Sequence, residues 1–192
     1  MRRHPERRKR WRGIAAFATA HYSGPVKKLE IPDAHHFNAA CGWSELGNRA
    51  EAWLELALIA PENQTHPAVL DLHWSLCAGD QKWDEAFRVA QQFMAVLPDN
   101  PAGWLHCAYA ARRMPGGGIE RAQALLLPAA EKFPDEPVIV FNLACYACQL
   151  HQLDDARRWY KRACHCGGEK EMRAMALADE DLKPLWQEIR GA

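Results

Sequence analysis

The sequence predicts an all-α fold, a stack of about four helix-turn-helix repeats closed by a C-terminal capping helix. Three observations lead there: an alanine motif that returns about every 34 residues, amphipathic patterns upstream of each copy, and prolines after the first three copies. Self-similarity at a period of roughly 20–50 residues marks a repeat architecture, in which neighbouring units share one continuous core.

The motif occurs in GNRAEAWLELALI, QKWDEAFRVAQQF, GGIERAQALLLPA and HQLDDARRWYKRA. Its central alanines, Ala52, Ala86, Ala122 and Ala156, are spaced by 34, 36 and 34 residues. The longer interval contains Pro115-Gly116-Gly117-Gly118, which adds two residues to a turn. A small side chain at each alanine lets two helices approach closely, where a larger one would open voids along the seam. Upstream, Trp104, Cys107, Ala108 and Ala111, and again Val140, Leu143, Ala144 and Ala147, recur at helical spacing. Pro61, Pro98 and Pro134 in APEN, LPDN and FPDE then end the second helices, since proline cannot continue them. The expected organisation is a basic arm over 1–30, repeats at about 33–64, 67–100, 101–136 and 137–166, and capping helices over 167–192. In the last segment Met172, Met175, Ala176, Leu182, Leu185, Trp186 and Ile189 form an apolar set suited to covering the end of a stack. Asp179 or Asp181 is expected to cap its final short helix.

The period, the recurring alanine, the aromatic opening of GWLHCAYA and the Pro-Asp-Asn-Pro closure resemble tetratricopeptide repeats over about residues 34–163. NLACYACQLHQLDDARRWYKRA is the nearest match, and ALADEDLKPLW resembles the closing segment of bacterial repeat proteins of this type. The resemblance implies a right-handed superhelical stack whose first helices line a concave groove. By register that groove takes Phe37, Cys41 and Ser44, then Asp71, Ser75 and Ala78, then Leu105, Tyr109 and Arg112, then Phe141, Cys145 and Cys148 with Gln149 beside them. Trp74 departs from the family, which has a small residue there. Arg112 alone offers a cation at the groove positions, which speaks against clamping a terminal carboxylate. An extended or helical partner segment with apolar anchors fits better, with Tyr109 and Phe141 as hot spots and Arg112 or Asp71 setting its orientation. The alternative is that these aromatics belong to the core.

Composition bounds the remaining classes. Of 192 residues 48% are hydrophobic and 25% charged, the balance of a folded soluble domain. No apolar run is long enough to span a bilayer. The formal charges cancel, but residues 1–12 carry seven Lys/Arg against one Glu, leaving the remainder with 17 basic and 23 acidic groups. Arg2, Arg3, Arg7, Arg8, Lys9, Arg10 and Arg12, interleaved with Trp11, form the second functional candidate, attachment to nucleic acid or an anionic surface. Residues 1–25 are alternatively an extension of the gene, and Ile14–Ala20 is a short match to a secretory core. Seven cysteines without a disulfide framework favour a reducing compartment, the cytoplasm.

Cys145-x-x-Cys148 and Cys164-His165-Cys166 raise a zinc or redox role, although cysteine also substitutes for small core residues. Histidines are scattered, and Gly116–Gly118 joins two helices without the Lys-Ser/Thr of a phosphate loop. The expectation is a protein-binding adaptor without catalytic residues or cofactor.

Overall fold

The computed structural model describes residues 28–191. Ten α-helices follow in order: α1 (Asp33–Glu45), α2 (Arg49–Ala57), α3 (Pro67–Gly79), α4 (Trp83–Val96), α5 (Pro101–Ala111), α6 (Ile119–Lys132), α7 (Pro137–Gln149), α8 (Leu153–Gly167), α9 (Glu169–Ala178) and α10 (Trp186–Gly191). Short 3-10 segments lie at Pro61–Asn63 and Glu180–Leu185. There is no strand among the described residues, and successive helices pair with one another, so the described part of the chain is all-α. None of these helices is long and apolar enough to cross a membrane. The basic arm, the Ile14–Ala20 stretch and the possible extension over 1–25 lie outside the described residues.

Two local devices repeat along the chain and place the helices. The first sets the start of α3, α5 and α7, each of which opens with a proline. Proline at the first helical position forgoes only an N–H that has no partner within the helix, and its fixed φ suits the turn. The residue before it caps the next free amide: His66 Nδ1 accepts from Ala68 N at 3.2 Å, Asn100 Oδ1 from Ala102 N at 2.8 Å, and Glu136 Oε1 from Val138 N at 3.1 Å.

The second device ends α1, α3 and α7. Gly47, Gln81 and His151 take left-handed φ values of 81, 62 and 60°. The following amide then returns to the carbonyl five residues back: Asn48 to Trp43 at 2.9 Å, Lys82 to Cys77 at 2.8 Å, and Gln152 to Ala147 at 2.9 Å. That bond satisfies a carbonyl which the helix end leaves free, and it reverses the chain. The turn between α5 and α6 carries the two-residue insertion and closes differently, with Gly118 N donating to Ala111 O at 3.1 Å. Gly117 is required there, because a Cβ on it would fall 1.9 Å from Ala111 O.

The chain divides after Ala110 into two compact units. In the first, one core cluster gathers Ala40, Ala52, Leu56, Ile59, Val69, Leu72 and Leu76. A second gathers Leu70, Trp74, Cys77, Ala86, Val89, Phe93 and Cys107. In the second unit α7 is the centre: every residue from Val138 to Cys148 is buried, and Asn142 donates back to Val138 O at 2.8 Å. A helix that is apolar on all sides must be covered on all sides. Around it pack α6, α8 and the 180–185 segment. Ala52, Ala86, Ala122 and Ala156 are all at 0% exposure.

Candidate functional site

The groove positions separate into two environments. In the first unit Phe37 and Cys41 on α1, Asp71 and Ser75 on α3, and Tyr109 on α5 are each half-buried, while Leu105 is buried. α1 packs against α3. α3 meets α5 through the Trp74 and His106 rings, stacked at 3.8 Å and 12°. Trp74 fits where a small residue was expected because it lies flat on this imidazole, with the Tyr109 ring against its edge at 5.9 Å. Beside Phe37 opens a cavity of about 350 Å³, lined by Leu29, Ala34, Asn38, His66 and Ala68 among others.

The polar centre of this face is Asp71. Its Oδ1 lies 3.7 Å from His106 Nε2, beyond a hydrogen bond, and neither that oxygen nor either nitrogen of His106 has a hydrogen-bond partner among the described residues. Burial pushes the Asp71 carboxyl up to about 7 and the fully buried His106 imidazole down to about 3. The Cys41 thiol is also pushed up, to about 11, by burial first and then by Glu45 and Asp71. This face therefore combines apolar anchors with one carboxylate held back from full solvation.

In the second unit the corresponding positions are covered. Phe141, Cys145 and Cys148 are 3%, 0% and 1% exposed. Over them lies the closing segment, whose Asp179 caps its own turn by accepting from Asp181 N at 3.1 Å and also accepts from Cys145 Sγ at 3.7 Å. Asp181 receives both terminal nitrogens of Arg112, at 2.6 and 3.3 Å, and Gln149 Nε2 donates to its carbonyl at 3.2 Å. Leu182 and Leu185 are buried beneath. Phe141, Cys145 and Cys148 are thus core rather than an open groove, and Arg112 is neutralised within the fold. The reason is that the cap docks on α7 itself, where register alone places a binding surface.

The four thiols singled out as a zinc set are not brought together. Cys145 faces Asp179, whereas Cys166 Sγ donates to Pro134 O at 3.6 Å. Burial pushes the Cys148 thiol up to about 11 and the Cys77 thiol up to about 12, so neither ionises without a cation beside it. One group of three potential ligands does converge among the described residues, His73, Cys77 and Glu85. Sequence reading missed it because Glu85 stands on the next helix, although His73 and Cys77 share one face of α3 at i, i+4. It also missed the approach of Asp71 on α3 to His106 on α5, 3.7 Å apart without a hydrogen bond.

No protein-family model matches the chain, and no curated protein matches it as a relative.

Proposed function

We propose that the chain is a tetratricopeptide-type adaptor that binds a segment of a partner protein along the first helices of its first unit. The observation that carries this reading is the half-exposed stripe of Phe37, Cys41, Asp71, Ser75 and Tyr109, with an incompletely satisfied carboxyl at its centre. Phe37 and Tyr109 supply aromatic anchors, the side-chain class enriched in binding hot spots. A lysine, arginine or amide donor from the partner would satisfy Asp71 and stabilise its ionised form. A partner side chain entering beside Phe37 would fill the adjoining cavity. The reading is one of binding without catalysis: His106 is at 0% exposure and cannot exchange a proton with a substrate on this face.

The test is affinity capture read by mass spectrometry, with wild type against the Phe37→Ala, Asp71→Asn double variant at two salt concentrations. Both side chains are partly exposed, so the variant keeps its fold, checked by circular dichroism. A protein retained by wild type at both salts and lost by the variant supports the face. Unchanged capture sinks the reading. Recovery of nucleic acid alone, washed off by salt, transfers function to the arginines of residues 2–12.

A further inference from the structure

We propose that His73, Cys77 and Glu85 form a mononuclear zinc site on the second hairpin, with a fourth position left to water. The imidazole, the thiol sulfur and the carboxylate oxygen all lie within 4.8 Å of one another. His73 Nε2 and Glu85 Oε1 are 3.4 Å apart, long for a hydrogen bond between them. It is instead close to an edge of a tetrahedron: ligands at zinc-bond distance from one ion stand about 3.3–3.7 Å from each other. Bringing the sulfur onto the same ion needs a movement of about 1 Å or less.

The scaffold holds these donors in place. His73 and Cys77 lie one turn apart on α3, and Glu85 stands in the first turn of α4. Between them the turn is pinned by Lys82 N donating to Cys77 O at 2.8 Å. The His73 ring stands edge-on to Trp53 at 5.2 Å, and Trp53 is itself held by its Nε1 donating to Asp80 Oδ2 at 2.8 Å. Cys77 is fully buried, while the His73 and Glu85 side chains are 24% and 36% exposed, so an ion and a water can reach the site from solvent.

The residue set is peculiar to this hairpin. In repeat register the same three positions hold Ala39, Trp43 and Glu51 in the first hairpin, Cys107, Ala111 and Arg121 in the third, and Leu143, Ala147 and Asp155 in the fourth. Packing therefore does not call for the imidazole and the thiol at these places, while an acid at the third recurs as Glu51 and Asp155. Electrostatics selects the ion: a neutral imidazole, a thiolate and a carboxylate sum to two negative charges and balance a divalent cation. Mixed nitrogen, sulfur and oxygen donors suit zinc over magnesium or calcium.

The test titrates cobalt(II), a spectroscopic stand-in for zinc, into the reduced full-length chain, then measures zinc affinity against a chromophoric chelator. The expected result is one equivalent bound, with the intense visible bands of a tetrahedral site and a thiolate-to-cobalt charge-transfer band. Glu85→Gln and His73→Ala, both at partly exposed positions, should each weaken zinc binding by about tenfold or more. Cys77→Ala should abolish the charge-transfer band. A Cys164→Ser, Cys166→Ser control should bind as wild type does. Circular dichroism checks that each variant is folded, and the Glu85→Gln result stands even if Cys77→Ala unfolds. Absence of the tetrahedral bands in wild type, or affinity unchanged in folded Glu85→Gln and His73→Ala, overturns the proposal.

Discussion

Asp71 and His106 shift in opposite directions for one reason, burial, and their effects on stability oppose each other. Folding raises the Asp71 pKa from 3.8 to about 7 and lowers that of His106 from 6.5 to about 3. Between about pH 4 and 7 the folded chain keeps a proton on Asp71 that the unfolded chain has released, so Asp71 costs more stability as pH rises. His106 acts the other way, because below 6.5 the unfolded chain takes up a proton which the buried ring refuses. The Asp71→Asn variant removes the first effect alone. Urea unfolding from pH 4 to 7 should show it gaining on wild type as pH rises, by at most about 4 kcal/mol. The 16% exposure of the Asp71 side chain moderates that limit. A stability difference independent of pH would mean that the carboxyl ionises as freely as in water. Asp71 was legible in the sequence as a groove position; its pairing was not, since His106 lies on another hairpin and no periodicity within one helix points to it.

The helices themselves were written plainly in the chain. The alanine spacing located the helices that carry Ala52, Ala86, Ala122 and Ala156, and the insertion at Pro115–Gly118 fell in the turn between α5 and α6. Less visible were the devices at helix ends. Gln81 and His151 look like ordinary polar turn residues, yet both stand where Gly47 stands in the first hairpin and share its left-handed backbone. That conformation costs a residue with a Cβ about 1–2 kcal/mol, partly offset by the freedom glycine has in the unfolded chain. Gln81→Gly should therefore raise stability by about 0.5–1 kcal/mol, seen as a higher urea midpoint with unchanged slope. A loss of stability would show that the Gln81 side chain makes a compensating contact. His66, Asn100 and Glu136 form a second hidden series: three different side chains perform one capping task before proline, so no identity in the sequence links them.

At the scale of the molecule, the closing segment covers α7, the first helix of the last expected repeat. Its apolar stripe announces a cap but carries no address, and only the fold shows it lying on α7. Leu182 is fully buried in that contact. Leu182→Ala should cost about 2–5 kcal/mol through the lost side chain and the cavity left behind. It should also quicken alkylation of Cys145 and Cys148, followed by peptide mass spectrometry under native conditions. Equal alkylation rates in wild type and variant would mean that the segment does not shield α7.

The first helices of the first unit bound the length of the segment proposed to bind there. Packed helix axes stand about 8–10 Å apart, so α1, α3 and α5 together span about 20 Å. An extended chain covers that distance in about six residues at 3.3 Å each. Under the proposed function the partner segment would be a short linear motif, two apolar side chains flanking a basic or amide one, and a library of hexapeptides is large enough to contain it.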